Sequence, residues 1–200
     1  PRRRGISMRS HFRAVLTDLA LGASQIGLTV TLLAYQAWLI SDAILRTLGR
    51  KGFGVDTVSG GEVARALEAG IDPGKIVLSG VAKTVAEIEF ALEKGIKQIN
   101  VESPQELVRI SEIAGRMKRV ADVAFRLNPD VNPQTHPYIT TGFRENKFGM
   151  DESFIPELLQ ILKASARRIR LRGLTMHIGS LLFDLGVFRE AIEKTVRAHR

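Results

Sequence analysis

The chain has 200 residues, 44% hydrophobic and 25% charged, which is enough for one domain with a sizeable core and excludes a disordered chain. It has no cysteine, so thiol catalysis, cysteine-ligated zinc and structural disulfides are excluded, and a cytoplasmic location is the natural expectation. The formal net charge of +8 would attract polyanions, but residues 1–50 hold seven arginines against two aspartates while the other 150 residues carry a surplus of only three. With no basic stripe interleaved with aromatics, nucleic acid is not expected as a partner.

In chain order, the first feature is the charge-free window LALGASQIGLTVTLLAYQAWLIS, residues 19–41, behind an arginine-rich start. Its length and flanks match a membrane anchor, but two glycines and six polar residues weaken it, and a membrane partner is not expected. A buried strand near Leu28–Tyr35 is the alternative. Short apolar runs then alternate with amphipathic stretches, the rhythm of βα units on a parallel sheet. Strands are expected at Phe53–Val58, Ile76–Leu78, Gln98–Val101, Val120–Leu127 and Leu171–Ile178. Helices are expected at Glu62–Glu68, closed by Gly70, and at Thr84–Lys94, where Thr84 and Glu87 form a capping box and Gly95 ends the helix. A third helix begins at the Ser103 cap with Pro104 in its first turn, and others run over Glu152–Arg167 and Val187–His199. About twenty residues rich in Asn, Pro, Thr and Gly follow the fourth strand, a length more usual for a functional loop than a connector.

Five strand-then-helix units favour a (β/α)8 barrel over an open doubly wound sheet, but a complete barrel takes about 250 residues. The expected fold is therefore α/β, a partial TIM barrel incomplete at both ends. In a barrel the chemistry sits where strands end, and polar residues collect there: Asp56 and Ser59, Ser79, Asn100 with Glu102 and Ser103, Arg126 with Asn128, and His177 with Ser180. For any one of these, the start of a polar loop is the simpler explanation. Five ends converging on one rim is less easily dismissed.

The run FGVDTVSGGEVARALEAGIDPGKIVLSGVAKTVAEIEFALEKGIKQINVES, then RLNPDVNPQTHPYITTGFRENKFGM, then GLTMHIGS, resembles the barrel domain of the diaminopimelate decarboxylases. These belong to the alanine-racemase-like, pyridoxal 5′-phosphate-dependent group with the ornithine and arginine decarboxylases. The resemblance covers residues 43–200 and sets residues 1–42 apart as a segment without the family pattern. It implies pyridoxal 5′-phosphate as cofactor, a small amino-acid substrate and a homodimer in the complete enzyme. By the same resemblance His177 would stack on the cofactor ring, Gly179 and Ser180 would approach its phosphate, and Asp56 and Arg126 would line its side of the barrel. Ser59 and Glu62 match nearby polar positions, although helix capping needs the same residue types. His136, Thr140, Thr141, Gly142, Asn146 and Lys147 match a loop that closes over the site in relatives.

The resemblance also implies what the chain lacks. The family lysine lies in a first-strand motif of the form Tyr-Ala-x-Lys-Ala-Asn, and this chain reads AYQAWLISDAIL there, with no lysine anywhere in residues 1–50. Both ends of the chain are expected to be cut points, with the phosphate loop and the partner-completing domain beyond Arg200. Leu181 stands where the branch usually has glutamine. A fragment inactive by itself is the expectation. A non-catalytic paralogue that binds a full-length homologue, or a carboxynorspermidine or D-ornithine decarboxylase, are the alternatives.

Overall fold

The computed structural model describes residues 8–131, 148–179 and 185–198. The chain divides between Thr47 and Leu48 into two compact units. Helix α1, Met8–Arg50, contains essentially all described residues of the first unit, and none of its residues is buried. The buried strand considered for Leu28–Tyr35 does not form. That stretch is helical, where each amide is satisfied within the segment and no neighbouring strand is required. The hydroxyls of Thr31 and Ser41 are turned back onto the Gly27 and Ala37 carbonyls at 2.9 and 2.7 Å. By length and composition alone α1 could cross a membrane.

The second unit is a five-stranded parallel sheet in the order β1-β2-β3-β4-β5. Its strands are β1 (Val55–Thr57), β2 (Ile76–Leu78), β3 (Gln98–Val101), β4 (Ala121–Leu127) and β5 (Ile169–Met176). All five expected strands exist, two with the expected bounds and three with ends displaced by one or two residues. Helices α2 (Gly60–Glu68), α3 (Val85–Lys94), α4 (Pro104–Arg116), α5 (Ile155–Ala164) and α6 (Leu185–Ala198) follow them in turn. The expected helix over Glu152–Arg167 is shorter, because Asp151 first caps a 3-10 turn at Glu152–Phe154 and α5 ends at Ala164.

The caps are those the sequence spells. Thr84 accepts from the Glu87 amide while Glu87 accepts from the Thr84 amide, and Gly95 closes α3 at φ 65°. Ser103 caps α4 ahead of Pro104. Glu87 also reaches α2, accepting from the Gly60 amide at 2.8 Å, so one carboxylate ties two helix starts together.

Parallel pairing fixes which side chains share a face. Asp56 pairs with Val77, Val77 with Gln98, Asn100 with Ala124 and Arg126 with Thr175. Alternation then places Ile76, Leu78, Ile99, Val101, Val123, Phe125 and Leu127 together on the other face, each at most 3% exposed. These pack with Val63, Ile88, Leu107, Ile110 and Leu158 of the helices to make the core. The strand faces are thus sorted into an apolar side under the helices and a polar side opposite it.

Candidate functional site at the strand ends

The polar face carries Asp56, Ser79, Asn100, Glu102, Arg126 and His177 near the carboxyl ends of the five strands. Two hydrogen-bond networks hold all of these side chains but His177. In the first, Ser79 Oγ donates to Asp56 Oδ1 at 2.5 Å and accepts from Asn100 Nδ2 at 2.8 Å, and Gln98 Nε2 donates to Asn100 Oδ1 at 2.9 Å. This chain of bonds orders three neighbouring strands and points the Asp56 carboxylate along the rim.

The second network centres on Glu102. Its Oε1 accepts from Arg126 Nη1 at 2.7 Å and from the Gly80 amide at 2.9 Å, and its Oε2 from the Gly149 amide at 3.3 Å. Gly80 has φ 94° and Gly149 has φ 78°, conformations that favour glycine. A side chain at Gly149 would in addition meet the backbone of Arg126, Leu127 and Asn128. The Arg126 guanidinium lies 5.3 Å from the centre of the Phe148 ring, which covers it.

His177 follows β5 at the same rim. Although the residue is exposed at the rim, desolvation among the strand ends holds its imidazole below the usual histidine value, the Arg126 charge adds to this, and the Asp56 charge opposes it. The ring is therefore held neutral near pH 7, a flat uncharged surface suited to covering an aromatic ligand. Gly179 follows at φ 129°, beyond buried Ile178.

Of the residues expected from the sequence, the structure brings Asp56, Arg126 and His177 to one rim and places Gly179 two residues past His177. Ser180 and Leu181, and the loop residues His136, Thr140, Thr141, Gly142, Asn146 and Lys147, lie outside the described residues. Ser59 and Glu62 are occupied in capping: Ser59 accepts from the Glu62 amide at 3.2 Å and Glu62 from the Val58 amide at 2.8 Å. Arg126 pairs with a carboxylate, that of Glu102, and this partner lies in the site itself. Glu102 is the centre that sequence reasoning placed only among polar strand ends. Its signal was present, since it follows Asn100 by two and so shares that residue's face. Lys83, buried behind the rim, gave no comparable signal. Among the described residues no group of three or more His, Cys, Asp or Glu side chains could hold a metal ion.

The donors present suit pyridoxal phosphate in kind: a neutral imidazole for its ring face, a guanidinium and carboxylates for its polar edge, and a glycine turn after His177. Among the described residues at this rim there is no amine free to hold its aldehyde. Lys83, the buried lysine behind the rim, has its ammonium bound to Gly80 O, Asn100 O and Glu106 Oε1.

The chain is 44% identical over 155 residues to the diaminopimelate decarboxylase of Aquifex aeolicus, covering 76% of this chain and 36% of that protein. It is 45% identical over 154 residues to the enzyme of the same name from Neisseria meningitidis, covering 76% and 37%. The chain thus spans little more than a third of the length of these relatives. Among solved structures, Helicobacter pylori diaminopimelate decarboxylase complexed with L-lysine superposes with a TM-score of 0.76 at 43% identity, over 79% of this chain and 40% of that one. The Paramecium bursaria Chlorella virus arginine decarboxylase gives 0.68 at 25% identity, over 78% and 39%. The sequence profile of the pyridoxal-binding domain of pyridoxal-dependent decarboxylases matches residues 32–200, and this chain belongs to that family.

Proposed function

We propose that residues 43–200 are part of a diaminopimelate decarboxylase barrel, the part that binds pyridoxal 5′-phosphate, and that this chain by itself does not turn substrate over. The observation that carries the reading is the convergence of Asp56, Arg126 and a neutral His177 on the polar face of a parallel sheet. His177 would cover one face of the cofactor ring, leaving the other for an amino-acid substrate. Asp56, steadied by Ser79, would face its polar edge, and Gly179 with Ser180 would approach its phosphate. Bound pyridoxal phosphate supplies an electron sink when a carboxylate leaves the substrate as carbon dioxide. In the complete enzyme the product would be L-lysine, made in the cytoplasm by a homodimer.

The proposed inactivity follows from the missing amine. Residues 1–50 contain no lysine, and the ammonium of Lys83 is committed to three acceptors. The chain's greater likeness to diaminopimelate decarboxylases, at 43% against 25% for the arginine decarboxylase, supports the choice of substrate. The test is to titrate the chain with pyridoxal phosphate, reduce with borohydride, and assay lysine from meso-diaminopimelate. Reversible binding weakened by His177→Ala, no label retained after reduction and no lysine formed are expected. Lysine formation, or a label locked onto the chain, would overturn the inactivity. Failure to bind the cofactor at millimolar concentration would overturn the cofactor site.

A further inference from the structure

We propose that Glu102 is a positioning residue for Arg126, holding its guanidinium beside His177 by drawing strand β4 and the connections at Gly80 and Gly149 onto one carboxylate. The proposal rests on the reading of this rim as a ligand-binding end and adds to it a residue that the family resemblance did not single out.

The Glu102 side chain is 3% exposed and that of Arg126 11% exposed, so their contact at 2.7 Å is shielded from water. A buried carboxylate needs its lone pairs occupied, and here an arginine and two backbone amides do this. The three donors come from different places. Arg126 belongs to β4, Gly80 follows β2, and Gly149 follows the long connection after β4. The Glu102 backbone is itself fixed, because its amide donates to Glu106 Oε2 at 2.8 Å. Glu106 in turn holds Lys83 at 3.0 Å, and Lys83 donates to the carbonyl of Gly80. The Gly80 peptide is thus gripped on one side by Glu102 and through its carbonyl by Lys83. The carboxylate that orients Arg126 cannot shift without moving these connections.

A guanidinium has five N–H donors, so engaging Nη1 leaves others for an anionic group bound beside His177. The charged groups acting on His177 are Asp56 on β1 and Arg126 on β4, with Glu102, one residue past β3, paired to Arg126. Were Arg126 merely a neighbour of Glu102, its influence on His177 would survive loss of the carboxylate. Were Glu102 its positioner, that influence would fall with it.

Nuclear magnetic resonance titration of His177 in the full chain separates these cases. Arg126→Gln in the presence of Glu102 is expected to raise the His177 midpoint, since a nearby positive charge is removed. In a Glu102→Gln background the same substitution is expected to produce less than half that rise. An equal rise in both backgrounds, or none in the first, would overturn the proposal. Glu102→Asp withdraws the carboxylate by one methylene and keeps its charge. It is expected to reduce the effect of Arg126→Gln only in part, and it carries the comparison if Glu102→Gln does not fold. An undiminished effect there would again overturn the proposal. With pyridoxal phosphate as probe, Glu102→Gln should weaken binding about tenfold, and unchanged affinity would count against it. If the unsubstituted chain binds none of this probe, the cofactor reading fails, while the His177 titration still decides the role of Glu102.

Discussion

Lys83 Nζ lies 3.0 Å from Glu106 Oε1, with side chains only 2% and 8% exposed. The ammonium has three protons and finds three acceptors, adding the carbonyls of Gly80 and Asn100. Removing one partner from a buried, fully satisfied pair strands the other charge, at a cost of about 3–5 kcal/mol. Glu106→Ala should therefore lower the unfolding free energy by about that much in denaturant titration. The double substitution Lys83→Met with Glu106→Leu should lose much less, because no charge remains buried. Equal losses would show that packing, and not the stranded ion, dominates.

At the opposite end of the sheet, Asp122 controls acid stability. Burial works against its charge, but hydrogen bonds and charge from Arg170 and Arg172 outweigh this and hold the carboxyl below its usual value. A carboxylate depressed in the folded state contributes stability that is full above about pH 4, its unfolded value, and is lost as pH falls through the folded value. Asp122→Asn should lower the melting temperature near pH 7 and leave it nearly unchanged near pH 2. A uniform drop at both pH values would place its effect in packing instead.

Helix α1 predicts behaviour in solution. Leu19, Ile26, Leu28, Val30, Leu33 and Ile40 are each more than half exposed on a helix with no buried residue. Exposed apolar surface on this scale drives association. The full chain should elute as large species on gel filtration, and removing residues 1–47 should shift the remainder toward a monomer. An unchanged profile after removal would put the association in the sheet unit, whose edge strands β1 and β5 are the other candidates.

Much of the sheet unit was legible because its signals are local. Ser103-Pro104 and Thr84 with Glu87 announce helix starts that any chain would respect, and Gly95 needs only its own left-handed conformation to end a helix. The pleat also made Asp56, Asn100, Arg126 and His177 readable as strand-end residues. The role of Glu102 was not legible, because its three donors lie 22, 24 and 47 residues away and only tertiary pairing brings them together. Lys83 was hidden for the same reason, since a lysine before a helix cap ordinarily faces water. Residues 19–41 misled toward a strand because β-branched and aromatic residues share the window with good helix formers, and composition does not rank them.

The long connection after β4 starts and finishes at one place. Asn128 N donates to Met150 O and Met150 N to Arg126 O, both at 2.8 Å, so the segment between them leaves and re-enters the sheet at adjoining points. Closing a loop between fixed neighbours depends only weakly on its length, about 0.6 kcal/mol per doubling. Substitutions, insertions and deletions between residues 131 and 148 can accumulate there while Arg126 and Glu102 stay where they are. The Arg126–Glu102 pair is thus anchored independently of how long that connection is, because its two ends are tied to each other at the sheet.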